Sequence, residues 1–123
     1  MRFLSLLAAS GLILSATAAS ANTIDGTWMR GDGNARVRIA PCGDKVCATN
    51  VWIGDTSNGE EVGDRLIMTL APEGGGRLAG TAFDPKRQRS YNIIITSNGQ
   101  QMSTKGCILG RLLCREVTWT AAR

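Results

Sequence analysis

The feature that most constrains this chain is its punctuation. After residue 22, turn-forming clusters recur at short intervals: Gly31-Asp32-Gly33-Asn34, Gly43-Asp44-Lys45, Ser57-Asn58-Gly59, Gly74-Gly75-Gly76, Asp84-Pro85-Lys86, Ser97-Asn98-Gly99 and the surroundings of Gly110. Such residues supply positive φ or preset turn geometry. Between them lie eight runs rich in β-branched and apolar residues, near 25–30, 35–42, 46–53, 64–71, 77–83, 89–96, 101–107 and 112–120. Several alternate. Val37 and Ile39 oppose Arg36 and Arg38; Leu66, Met68 and Leu70 oppose Arg65 and Thr69; Tyr91, Ile93 and Ile95 oppose Asn92 and Thr96. A period of two marks a strand with one wet face. Nothing after residue 22 sustains a helical period, and there is neither an internal repeat nor a linker. Eight sequential strands joined by tight turns make an antiparallel meander, and closing it removes its exposed edges. The expected fold is therefore all-β, a single eight-stranded up-and-down barrel, with a two-sheet sandwich as the alternative. A barrel of that size is just wide enough to be filled by side chains or to hold one small ligand.

The first residues bear on compartment. Met1-Arg2 is followed by an apolar run from Phe3 to Leu14 and then by small residues ending Ala19-Ser20-Ala21. This is the pattern of a secretory signal peptide, and the run is shorter than the ~20 residues a membrane span needs. Residues 1–21 are accordingly read as the signal, and 22–123 as one exported domain, periplasmic or secreted, expected to be a monomer. No later apolar segment is long enough to span a membrane. Removal of Arg2 would lower the net charge from +4 to +3. The basic residues are scattered without interleaved aromatics, which gives no reason to expect nucleic acid.

Four cysteines in an exported chain read as disulfides rather than metal ligands. Three pairings are open. The two local ones, Cys42 with Cys47 and Cys107 with Cys114, are expected because each pair brackets turn residues that can bring its strands together.

Asp25-Gly26-Thr27-Trp28 resembles the opening strand of lipocalin-like and avidin-like barrels, the calycins. In those folds the tryptophan plugs one barrel end and an arginine near the last strand stacks on it. The resemblance thus implies a barrel-end motif of Gly26, Trp28 and Arg115, the last sharing a face with Val117 and Trp119. Over the whole domain the match narrows. Gly26-Thr27-Trp28, Cys42-Gly43 with Cys47, Gly63-Asp64-Arg65-Leu66-Ile67, Gly80, Asp84-Pro85, Tyr91, Gly106-Cys107, Gly110, and Cys114-Arg115-Glu116 with Trp119 resemble the exported bacterial domain-of-unknown-function family 2147, whose members are lipocalin-like. The Gly-Asp-Arg and Gly-Cys…Cys-Arg blocks are its specific part. Three positions depart from the pattern: Ala48 replaces a usual glycine, Leu78 replaces a frequent aromatic, and Lys86-Arg87-Gln88-Arg89 lacks the usual turn glycine. The family has no settled activity, so the resemblance implies fold and export more than function.

The chain contains no histidine, which excludes Ser-His-Asp, Cys-His and histidine–metal chemistry. Oxidised cysteines are poor nucleophiles. Asp44, Asp55, Glu60, Glu61, Glu73 and Asp84 fall in turns and read as solvated; Gly74-Gly75-Gly76 lacks the Lys-Ser/Thr of a phosphate loop. No catalytic residue, metal or cofactor is expected. The candidate ligand cavity comprises Leu66, Met68, Leu70, Tyr91, Ile93, Ile95 and Trp119, with small Gly80 and Ala82 making room; Trp52 is read as core or pocket wall. Asp64 and Arg65 form a candidate polar rim, and the longest connection, 54–63, a mobile loop at the mouth. The expected function is non-catalytic binding of a small apolar ligand. The alternative is an envelope protein-interaction or inhibitor domain that acts through its loops.

Overall fold

Each of the eight expected runs forms a strand in the computed structural model, which describes residues 24–122. The expected export signal lies outside the described residues. The strands are β1 (Gly26–Arg30), β2 (Ala35–Cys42), β3 (Lys45–Ile53), β4 (Arg65–Gly74), β5 (Arg77–Asp84), β6 (Arg89–Ser97), β7 (Gln101–Ile108) and β8 (Leu113–Ala121). Each pairs antiparallel with the next, and β1 returns to β8 through Trp28↔Ala121, Met29↔Thr120 and Arg30↔Trp119. The result is a closed up-and-down barrel. Closure joins the two terminal strands, which an open meander would leave as exposed edges, through a short seam of three residue pairs.

Antiparallel connectivity sorts the turns between two ends. The β2–β3, β4–β5 and β6–β7 turns lie at one end with Ile24 and the C-terminal residues. The β1–β2, β3–β4, β5–β6 and β7–β8 connections lie at the other. Both local disulfides are formed, one at each end: Cys42–Cys47 spans the β2–β3 turn, and Cys107–Cys114 joins directly paired residues of β7 and β8.

The barrel core is made by the inward faces. Ile24, Trp28, Val37, Ile39, Met68, Leu78, Ala82, Ile93, Ile95 and Met102 are buried together. Trp28 is 2% exposed, and its indole Nε1 donates to the Ile24 carbonyl at 2.8 Å, so the ring is sealed without an orphaned donor. Gly80 is required by a close backbone approach. A Cβ there would stand 1.8 Å from the Thr69 carbonyl oxygen on β4. The glycine brings two strands together; it does not widen a ligand space.

Two expectations are corrected by the register. Trp52, read as core or pocket wall, lies on the outside at 43% exposure, beneath the Arg36 guanidinium at 5.7 Å. The cause is a bulge: Val37 pairs with Asn50 while Arg36 pairs with Trp52, so Val51 is the extra residue on β3. A bulge inverts the alternation beyond it, and Ile53 takes the buried place instead. Arg115 does not stack on Trp28. It pairs with Gly106 near the start of β8, whereas the neighbour of Trp28 is Ala121 near its end. Six residues separate them, about 20 Å of strand.

Candidate functional site

Inward-facing residues leave a cavity of about 570 Å³ that opens at the β3–β4 loop end. Its deeper wall is apolar, with Val37 from β2, Leu66 and Met68 from β4, Ile93 and Ile95 from β6, and Met102 from β7. This volume lies within the ~300–1,000 Å³ typical of small-molecule sites. Six of the seven expected cavity residues line it: Leu66, Met68, Tyr91, Ile93, Ile95 and Trp119. Leu70 does not. It lies nearer the closed end of β4 and packs against the core. Ala82 is likewise core. Leu78, where the family pattern favours a ring, is buried near the closed end and outside the cavity wall.

The polar groups converge near the mouth. Trp119 Nε1 donates to the Thr104 hydroxyl at 3.0 Å, which orients the indole as a wall. The Tyr91 hydroxyl makes no hydrogen bond among the described residues. Arg115 lines the mouth and has neither an ion pair nor a hydrogen bond among them. Because the side chain emerges at an open rim, its charge stays hydrated and avoids the penalty of burial.

The rim is braced by ion pairs. Arg30 donates to both Glu60 oxygens at 2.6 and 2.8 Å and to Asp32 at 3.0 Å. Glu60 therefore sits below its ordinary carboxylate range, chiefly through the Arg30 hydrogen bond and against a smaller opposing push from burial. Lys86 Nζ reaches Glu61 at 2.7 Å and Asp64 at 3.1 Å. For Asp64, partial burial pushes upward, but the Lys86 hydrogen bond and the Glu61 backbone N–H together outweigh it, and the carboxyl is lowered. Asp84 is only 6% exposed; it accepts from the Lys86 and Arg87 backbone N–H groups and from the Arg87 guanidinium. It is not the solvated turn residue the sequence suggests. Arg65, the other expected rim residue, is exposed beside the cavity and unpaired among the described residues.

These contacts change the picture of the β3–β4 connection. The loop expected to be mobile is strapped on two sides, to β1 by Arg30–Glu60 and to the β5–β6 turn by Lys86 and Arg87, both of which donate to the Gly59 carbonyl. Asn34 also holds the Asp55 backbone through both its amide atoms. Sequence reasoning missed Arg30, Glu60, Asp84, Arg87 and Thr104 as rim or cavity members. Three of them carry a readable signal, because Arg30, Asp84 and Thr104 share strand parity with buried Trp28, Ala82 and Met102.

The pattern of blocks now has a location: Gly63-Asp64-Arg65 and Gly106-Cys107…Cys114-Arg115 both lie at the open end. The matching family model is described as "Uncharacterized protein conserved in bacteria (DUF2147)" and spans residues 26–121. The chain belongs to this family. Within DUF2147, the closed barrel agrees with the lipocalin-like architecture expected from Gly26 and Trp28. No curated protein and no solved structure matches the chain. Chemically, the mouth offers an apolar well, the unpaired guanidinium groups of Arg65 and Arg115, and carboxylates paired with Arg30, Lys86 and Arg87.

Proposed function

We propose that this domain binds one small, largely apolar ligand inside the barrel, without converting it, and that it works outside the cytoplasm. The supporting observation is the cavity: about 570 Å³, walled by Met68, Ile93, Ile95 and Met102, with Arg115 and Tyr91 available to a polar end of the ligand. Apolar walls provide most of the binding free energy, while a few placed polar groups fix orientation. The rim carboxylates do not suit a general acid, since Glu60 and Asp64 are lowered by their cations rather than raised. Two disulfides and the Met1–Ala21 pattern favour an oxidising compartment. The barrel closes within a single chain, which is consistent with a monomer.

The test is titration with a fluorescent fatty-acid analogue, comparing the wild type with Val117→Phe. Val117 is half-buried on the cavity wall, and a ring there fills space without disturbing the plugged end. Saturable binding by the wild type, weakened at least tenfold in the variant at unchanged melting temperature, is the expected result. Equal binding by both proteins would place the probe outside the barrel and remove the proposal.

A further inference from the structure

The exposed large hydrophobic residues are not spread evenly. Among the described residues, Val51, Trp52, Val62, Leu109, Leu112 and Leu113 are the ones left in solvent, and all six lie toward the open end. Three form the tip of the β7–β8 hairpin, where Leu109 is 68%, Leu112 81% and Leu113 57% exposed. That hairpin cannot easily fold its leucines away. Cys107–Cys114 staples its base, and Asn92 Nδ2 holds the Gly110 carbonyl at 3.2 Å. Leu109 adopts φ 54°, a left-handed conformation that glycine or asparagine takes more readily than leucine. The fold itself gives no reason for a leucine there.

At this end three cations serve five carboxylates and Asp55 has no ion pair among the described residues, so any positive character is carried by unpaired arginines and not by the ion-paired rim. Asp32, Glu60, Glu61, Asp64 and Asp84 are each tied to Arg30, Lys86 or Arg87. Arg65, Arg89, Arg111 and Arg115 have no ion pair among the described residues. The mouth therefore presents apolar tips and free guanidinium groups together.

We infer that the open end docks, mouth first, on an anionic lipid surface, with the Leu109–Leu113 hairpin inserted and the free arginines against the headgroups. Two features favour lipid over a protein partner. The exposed apolar groups lie on opposite sides of the ring, at β3 and its loop and at the β7–β8 hairpin, so no single compact patch exists. A stable protein interface commonly buries about 800 Å² per partner around a packed centre; a fluid surface meets separated tips without shape matching. Apolar residues combined with basic ones are also the composition that binds anionic leaflets, and tryptophan such as Trp52 suits the headgroup level. This inference stands apart from the occupancy of the cavity. It adds to that proposal a route by which an apolar ligand could enter from a bilayer.

The experiment is vesicle co-sedimentation of the chain from Asn22 onward, which contains all eight strands. Vesicles of phosphatidylethanolamine and phosphatidylglycerol are compared with pure phosphatidylcholine. Expected are binding to the anionic vesicles, at least tenfold weaker binding to the neutral ones, and a loss of at least tenfold in Leu112→Asp/Leu113→Asp and of several-fold in Arg111→Glu. All three positions are solvent-exposed, and an unchanged thermal midpoint confirms that the variants fold. A Leu112→Trp reporter should shift its emission to the blue on the same vesicles and be quenched by brominated acyl chains. Binding that ignores both variants, an unquenched reporter, or sedimentation of a wild-type dimer that Leu112→Asp dissolves would each overturn the inference, the last in favour of self-association.

Discussion

The two ends of this barrel are held by different forces. At the closed end Trp28 and Ile24 fill the lumen with hydrocarbon and one internal hydrogen bond, and the β2–β3 and β4–β5 turns above them are tight. At the open end the lumen is left hollow, and the perimeter is tied by Arg30–Glu60, Lys86–Glu61, Lys86–Asp64 and Arg87–Asp84. The first arrangement stabilises through apolar area removed from water. The second contributes little net free energy, because exposed ion pairs are worth about 0–1 kcal/mol each, but it fixes the shape of a mouth that is not filled. The plug thus lies at one end and the mouth of the candidate site at the other, with core residues such as Met68, Ile93 and Ile95 forming the cavity wall between them and a disulfide at each end.

The largest expected effect comes from breaking the plug. Trp28→Ala removes a ring 2% exposed and leaves a cavity beneath β1; the cost is about 3–5 kcal/mol, read from urea denaturation. Trp119→Ala removes the same side chain from a half-buried wall of a lumen already open, and should cost only about 1–2 kcal/mol. Equal losses would mean that the cavity wall is as much a part of the stabilising core as the plug.

The disulfides divide the comparison more finely. In the chain-entropy view, closing loops this short contributes about 2 kcal/mol apiece, so Cys42→Ala/Cys47→Ala and Cys107→Ala/Cys114→Ala should lower stability by similar amounts. They should differ in where the chain loosens. Hydrogen exchange over 109–113 should accelerate only when Cys107–Cys114 is removed, because only that bond closes the base of the leucine hairpin. Faster exchange there in the Cys42/Cys47 variant would show that the ends are coupled.

How far the sequence carries this picture depends on residue type. Period-two runs such as Leu66-x-Met68-x-Leu70 and Tyr91-x-Ile93-x-Ile95 reveal both strand and inward face, because a half-buried strand cannot hide its alternation. The bulge opposite Arg36 and Val37 has no such signature: Val51-Trp52-Ile53 reads equally well in either phase, and only pairing with β2 decides it. Glu60 looks like a solvated turn residue because its partner Arg30 comes from a strand 30 residues away, and Asp84 because its burial depends on the β5–β6 turn folding back over it, with Arg87 only three residues on. The place of Arg115 is legible, since antiparallel pairing puts the start of β8 at the barrel end away from the start of β1, yet resemblance to calycins points the other way. Leu112 and Leu113 read as an ordinary strand beginning and Leu109 as part of the turn around Gly110, whereas all three side chains stand exposed on one hairpin tip.

The smallest expected effect concerns the straps themselves and turns on proton linkage. Glu60 and Asp64 are held below the ordinary carboxylate range, so the folded mouth binds their protons less readily than the unfolded chain does. A lowered folded value means the stabilisation is complete above the unfolded carboxylate range of about 4 and is lost as pH falls through the lower, folded values. Acid should therefore release the 54–64 loop before it disturbs the plug, which contains no titrating side chain. Hydrogen exchange at pH 3, corrected for intrinsic rates and compared with pH 6, should show faster exchange over 54–64 and unchanged protection around Trp28. Glu60→Gln at pH 6 should reproduce part of that loosening at a cost of about 0.5–1 kcal/mol, and Glu61→Gln less, since Glu61 is the more exposed partner. Simultaneous loss of protection at both ends in acid would mean that the ion pairs of the mouth and the apolar plug form one cooperative unit rather than two.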